Sequence, residues 1–314
     1  MTITPSICAA LVTPVDSMGK IEHLKLSSHT RWILQSGCDG AVLFGTTGES
    51  ASFGISERIQ ALDVLLNSGV PAESLIVGTG CCSVADTLRL SQHAIDSGCD
   101  GILVHPPFFF HSPDEDGIFA FYSRLIEQLE RLKNQIYLYH FPEMTGAPVT
   151  PALIERLIKA YPDEIAGVKD STGSLESMTL MAKQFPQLKV FSGDDHLLWP
   201  LLEAGGYGAI TATANLTPNL LADVKKGWSL NTQDAQDAQI ALTGLWEETL
   251  LKFPVSEAVK DIIAMMSGDS QWLNLCPPLK QLPEVQRHQL HSMIHAYSSL
   301  FPKGLGTEVE DVIQ

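Results

Sequence analysis

Ser36-Gly37-Cys38-Asp39-Gly40-Ala41-Val42-Leu43-Phe44 returns further along the chain as Ser97-Gly98-Cys99-Asp100-Gly101-Ile102-Leu103-Val104-His105, and more loosely as Ala204-Gly205-Gly206-Tyr207-Gly208-Ala209-Ile210. Each copy reads as a helix end closed by glycine, a short turn and a short apolar strand. Repetition of that unit predicts alternating strands and helices around a parallel sheet. Working outward, short apolar runs predict strands at 7–12, 41–44, 75–78, 101–104, 135–139, 165–169, 189–191 and 208–211. Amphipathic stretches at 22–36, 56–68, 84–97, 114–131, 151–161, 174–185, 195–204 and 216–230 alternate with them. Several open on helix-start signals: Ser56-Glu57, Ser112-Pro113-Asp114-Glu115 and Thr150-Pro151.

Eight such units in about 230 residues are what a closed barrel needs. The competing arrangement is a doubly wound open sheet, but no G-x-G-x-x-G follows the first strand. The expected class is α/β, a (β/α)8 TIM barrel over residues 1–230. Residues 231–314 cease to alternate and read as helices near 233–250, 255–266 and 284–299, a C-terminal helical extension ending in an acidic tail.

The 314 residues are 45% hydrophobic and 18% charged, ample for a large core. A formal charge of -16 and a pI near 4.9 argue against nucleic acid and anionic membrane surfaces as partners. No apolar run approaches the ~18 residues of a membrane span. The start Met1-Thr2-Ile3-Thr4-Pro5 has neither a basic run nor a long apolar one, so no leader and a cytoplasmic location are expected. The six cysteines form no C-x-x-C pair. Cys8, Cys38 and Cys99 read as small buried thiols, and the adjacent Cys81 and Cys82 as packing residues rather than a redox pair.

In a (β/α)8 barrel the chemistry gathers where the strands end. Those ends carry Gly45-Thr46-Thr47-Gly48-Glu49-Ser50, Gly78-Thr79-Gly80, His105-Pro106-Pro107, Tyr139-His140-Phe141-Pro142, Lys169, Ser192-Gly193-Asp194-Asp195 and Thr211-Ala212-Thr213-Ala214-Asn215. Lys169 closes the apolar run Ile165-Ala166-Gly167-Val168, where burial penalises an ammonium. Such a lysine either snorkels to solvent or serves as an amine that attacks a carbonyl and forms a Schiff base. A phenol and a threonine hydroxyl near it suit proton transfer, and glycine-rich turns free backbone N–H groups to hold a carboxylate or oxyanion. Asp194, Asp195 and His196 offer rival metal ligands, but three consecutive residues cannot easily face one point; they read better as a helix cap with pocket contacts. Gly193 and the glycines of 205–208 leave a phosphate site open.

Taken together, Gly45-Thr46-Thr47-Gly48-Glu49-Ser50, Tyr139-His140-Phe141-Pro142, Gly167-Val168-Lys169-Asp170-Ser171-Thr172-Gly173 and Ser192-Gly193-Asp194-Asp195 resemble the motifs of the dihydrodipicolinate synthase / N-acetylneuraminate lyase family, over about residues 5–300. The resemblance implies a barrel assembled as a homotetramer or homodimer, needing no metal or other cofactor, that acts on pyruvate or another 2-oxo acid through a lysine Schiff base. By position it makes Lys169 the imine-forming lysine, Tyr139 the general acid–base and Thr46 a member of the proton relay. It gives Thr47 the 2-oxo acid carboxylate, and it places Gly193 and the backbone of Ile210 on the same pocket.

Three departures bear on the reaction. Where the synthase carries an arginine that grips the second substrate's carboxylate, this chain has Met144, beside Glu143. Phe109, flanked by Phe108 and Phe110, stands where relatives donate a relay tyrosine across a subunit interface, and a phenyl ring cannot pass a proton. Either His105, His111 or water substitutes, or the reaction needs no such relay. Ile55 and Cys82 stand where the lysine-inhibition site has its histidine and asparagine, so feedback by lysine is not expected. The expected function is an aldol-type lyase. The alternatives are a dehydratase of 2-oxo-3-deoxy sugar acids, 4-hydroxy-tetrahydrodipicolinate synthase, and a catalytically silent 2-oxo acid binding protein.

Overall fold

The computed structural model describes residues 5–110 and 112–306. Eight parallel strands, each paired with the next and the last with the first, close a barrel. They are β1 (Ser6–Ala10), β2 (Gly40–Leu43), β3 (Leu75–Gly78), β4 (Gly101–Val104), β5 (Ile136–His140), β6 (Ile165–Asp170), β7 (Lys189–Ser192) and β8 (Gly208–Thr211). The seam pairs Ser6 with Gly208 and Ala9 with Thr211. Asn215 stitches the seam where the strands end: its Nδ2 donates to the carbonyls of Ala10 (2.7 Å) and Ala212 (2.8 Å), and its Oδ1 accepts from Val12 N (3.1 Å).

Side-chain alternation sorts each strand into an inner and an outer face. Tyr137, Tyr139, Phe191 and Ile210 fill the barrel with small residues such as Ala10 and Cys8, whereas Ile136, Leu138, Val168 and Val190 pack outward on the helices. One irregularity decides the site. The β5–β6 register shifts between Ile136 and Tyr137, so that Tyr137 pairs with Gly167 and Tyr139 with Lys169. A one-residue slip exchanges the two faces of a strand. Beyond the shift Val168 faces the helices, and Lys169 pairs with the inward-facing Tyr139 and Phe191.

The helices around the barrel are α1 (His23–Gln35), α2 (Ile55–Asn67), α3 (Val84–Asp96), α4 (Glu115–Ile126), the short α5 (Pro142–Thr145), α6 (Pro151–Ala160), α7 (Leu175–Gln184), α8 (Leu198–Glu203) and α9 (Pro218–Gly227). Two expected caps form: Asp114 accepts from Gly117 N (2.7 Å) and Thr150 from Leu153 N (3.0 Å). At α2 the expected start at Ser56 gives way to Gly54, whose N–H donates to Glu57 Oε2 at 2.8 Å. The expected helix 195–204 divides into a 3-10 turn at Asp195–Leu197 and α8, because Asp195 turns inward instead of capping.

After the barrel come α10 (Gln233–Glu248), α11 (Val255–Ser267) and α12 (Glu284–His295). Their Leu242, Leu245, Ile262, Ile263 and Ile294 join the same apolar core as the outer faces of the strands. Cys8, Cys38 and Cys99 are buried free thiols, as read from the sequence. Cys82 is not a packing residue: it is exposed on the turn before α3, and Cys81 is half-buried beside Arg58. No helix among the described residues is long and apolar enough to cross a membrane.

Candidate functional site

Three neighbouring features meet at the C-terminal mouth of the barrel. The first is the turn after β2. The strand ends at Leu43, one residue short of expectation, because Phe44 swings to φ 59°. A bulky residue there is strained and needs neighbours to hold it. The Arg58 guanidinium lies 5.6 Å from the Phe44 ring centroid and its Nη2 donates to Gly78 O at 2.6 Å. The turn is then closed by Glu49 N donating to Thr46 O (3.0 Å), Ser50 N to Gly45 O (3.3 Å) and Thr13 Oγ1 to Gly48 O (2.8 Å). Thr46 and Thr47 are thus presented from a bonded frame.

The second feature is the amine. Lys169 is only 4% exposed, which rules out snorkelling, and its Nζ stands 4.5 Å from the centroid of the Tyr139 ring. Tyr139 OH and Thr46 Oγ1 are 3.1 Å apart, so phenol and hydroxyl share a proton path beside the amine. Beyond Lys169 the chain is stiffened by Asp170, fully buried, which accepts from Thr172 N (2.8 Å), Thr172 Oγ1 (2.6 Å) and Ser177 Oγ (2.7 Å).

The third is the exit of β7. Gly193 N donates to Asp170 O at 2.7 Å, and a Cβ on Gly193 would run into Ser171. Burial raises the Asp194 carboxyl above its usual range, an effect that its neighbours His196 and Lys169 oppose. Asp195 is wholly buried and pushed up to about 7 by that burial, against a hydrogen bond from Thr211; its Oδ2 accepts from Thr213 Oγ1. Ile210 faces the barrel interior from the third position of β8. Among the described residues no three His, Cys, Asp or Glu side chains stand close enough to share a metal ion.

His105 is half-buried beneath Phe108, with Nδ1 2.8 Å from Pro106 O; a carbonyl only accepts, so Nδ1 carries the hydrogen. Burial lowers its pKa. His111 lies outside the described residues. Phe109 and Phe110 are 71% and 76% exposed, and Met144, on α5, is 62% exposed.

A sequence model of the dihydrodipicolinate synthetase family matches residues 4–297. The chain belongs to that family. It is 33% identical over 282 residues to an uncharacterised DapA-like lyase of Chloroflexus aurantiacus, covering 83% of this chain and 94% of that one. Among solved structures it resembles dihydrodipicolinate synthase from Agrobacterium tumefaciens, with a TM-score of 0.84 and 30% identity over 93% of this chain and 98% of that one. A prophage protein of the dihydrodipicolinic acid synthase family from E. coli K12, solved in complex with pyruvate, matches with a TM-score of 0.84 and 25% identity over 94% and 98% of the two chains.

Two residues that the sequence did not single out belong to the frame of the turn after β2. Arg58 braces Phe44. Lys260, in the apolar run Ala258-Val259-Lys260-Asp261-Ile262-Ile263, forms a fully buried ion pair with Glu49 of the Thr46–Thr47 turn. A lysine inside so apolar a helix was the available signal, since burial demands a partner.

Proposed function

We propose that this chain is a class I lyase in which Lys169 condenses with the ketone of pyruvate or another 2-oxo acid. The observation that carries the reading is a buried amine set against the ring of Tyr139, whose hydroxyl meets Thr46 at 3.1 Å. The amine adds to the C2 carbonyl, the carbonyl oxygen leaves as water, and the resulting iminium is an electron sink for the C3 carbanion. Tyr139, relayed through Thr46, moves the protons. Thr47 holds the substrate carboxylate through its hydroxyl and backbone N–H, while Gly193 and the Ile210 backbone border the same space. The bound pyruvate named for the E. coli relative supports a 2-oxo acid as ligand.

The enamine serves aldol cleavage, aldol addition and loss of water alike, so the partner half decides the reaction. Met144 supplies no guanidinium for a second carboxylate, which favours an uncharged aldehyde over the synthase substrate. Dehydration of a 2-oxo-3-deoxy sugar acid is the other outcome open to the same enamine. We further assign a homotetramer or homodimer, on the exposed Phe109 and Phe110, and a cytoplasmic setting, on the free thiols.

Borohydride added with pyruvate is expected to leave a reduced adduct on Lys169, read by mass spectrometry of the peptide, and Lys169→Ala is expected to give none. A wild type that traps no 2-oxo acid overturns the reading.

A further inference from the structure

The turn that presents Thr46 and Thr47 lies between two residues in the left-handed region, Phe44 at φ 59° and Glu49 at φ 57°. Phe44 is held by the barrel itself, through Arg58 and the close approach of Gly78. Glu49 is held by something else. Its side chain leaves the barrel mouth and enters the C-terminal helices, where Oε1 pairs with Lys260 Nζ of α11 and Oε2 accepts from Cys276 N at 2.8 Å. Lys260 Nζ also donates to Asn274 O at 2.9 Å, and Asn274 Nδ2 returns to the barrel, donating to Val15 O at 3.2 Å. Both charged side chains are buried, yet both carboxylate oxygens and two ammonium hydrogens have named partners.

A fully buried ion pair is a weak source of stability, because desolvation cancels much of the attraction and apolar replacements often do as well. What the pair supplies is direction: a carboxylate fixed at both oxygens holds Glu49 in an unfavourable backbone conformation and so sets the turn three residues earlier.

We propose that Glu49 and Lys260 are positioning residues, through which the C-terminal helices set the geometry of the turn carrying Thr46 and Thr47. As a statement about catalysis this rests on the Schiff-base reading above. As a statement about the turn it does not.

The test is the neutral double variant E49Q/K260M, in which the new side-chain amide keeps an acceptor for Cys276 N and no charge is left buried alone. Three measurements are made on it and on the wild type: thermal midpoint, hydrogen exchange of the peptide covering residues 45–50, and turnover of pyruvate-yielding substrates. The midpoint should stay within a few degrees of wild type, and the 45–50 peptide should exchange faster. The value of kcat/KM should fall by about 10²-fold, the size of effect a small misplacement of reacting groups produces. The loss should appear in both KM, through Thr47, and kcat, through Thr46.

A folded double variant with wild-type exchange in that peptide and wild-type kinetics overturns the proposal. Should the double variant fail to fold, native-state exchange of the wild type in low denaturant decides instead. The 45–50 and 274–276 segments should open together, and a turn that opens while 274–276 stays protected overturns the proposal. If the wild type traps no pyruvate, the reaction is what fails, and exchange of the turn still judges the anchor.

Discussion

Lys169 meets the face of Tyr139, and the phenol reaches past it to Thr46. Deleting that phenol should therefore spare binding more than turnover. Tyr139→Phe is expected to lower kcat by about 10²–10⁴-fold while borohydride still traps pyruvate on Lys169; single-turnover kinetics with mass-spectrometric trapping separates the two. Thr46→Val should fall in the same direction, and the double variant should lose less than the product of the single losses, because the two groups form one path. Met144→Arg restores a guanidinium at the rim. It is expected to raise kcat/KM for an aldehyde bearing a carboxylate by roughly tenfold or more, as for one charge-assisted hydrogen bond; an unchanged ratio between charged and neutral aldehydes would refute that role for position 144. Asp195 keeps its proton to about pH 7 when folded, against an ordinary value of 3.8. Its raised folded value favours the native state most below about pH 4, and that advantage is lost as pH climbs towards 7. The melting temperature of the wild type relative to Asp195→Asn should therefore fall across that interval and level off above it. At this scale the nearness of Lys169, Tyr139 and Thr46 was legible, because the first two are polar residues where apolar strands end and the third stands in the glycine-rich turn that follows another. Glu49 and Lys260 were not paired in advance, since 211 positions separate them and only packing brings them together.

Element by element, the strands were easier to read than their ends. An apolar run of four or five residues marks a barrel strand plainly, but Phe44 looks like its last member and is instead the first residue of the turn, bent by contacts with Arg58 and Gly78. Gly78→Ala would set a Cβ on the Phe44 carbonyl, and overpacking of that kind costs about 1–3 kcal/mol. Denaturant unfolding should show that loss together with reduced turnover, since the displaced turn carries Thr46. At α6, Thr150 accepts from Leu153 N while its hydroxyl donates to Glu115 Oε2 at 2.7 Å. Thr150→Ala should cost about 0.5–2 kcal/mol in the same assay with kcat unchanged. The register shift between β5 and β6 carries no local sequence mark, yet it is what brings Lys169 beside Tyr139.

For the whole molecule, the question is whether residues 231–314 are an appendage or part of one core. Leu242, Leu245, Ile262 and Ile263 are fully buried in the cluster that backs the strands, and Gln239 Nε2 donates to Asp195 O at 3.0 Å beside the site. A chain ending at residue 230 is therefore expected to lose its cooperative thermal transition, because that core face would meet water and the Glu49 carboxylate would lose both Lys260 and Cys276 N, which hold it. A sharp melt of the truncated chain would show an independent barrel. The repeated helix–turn–strand unit and the polar strand ends were enough to specify a closed parallel barrel and to point at Lys169, because period and residue chemistry are local properties of the chain. The shifted register, the left-handed turn after β2 and the Glu49–Lys260 link were decided only in three dimensions. Each depends on desolvation and close contact between segments far apart in sequence, and no local pattern encodes which distant group will arrive.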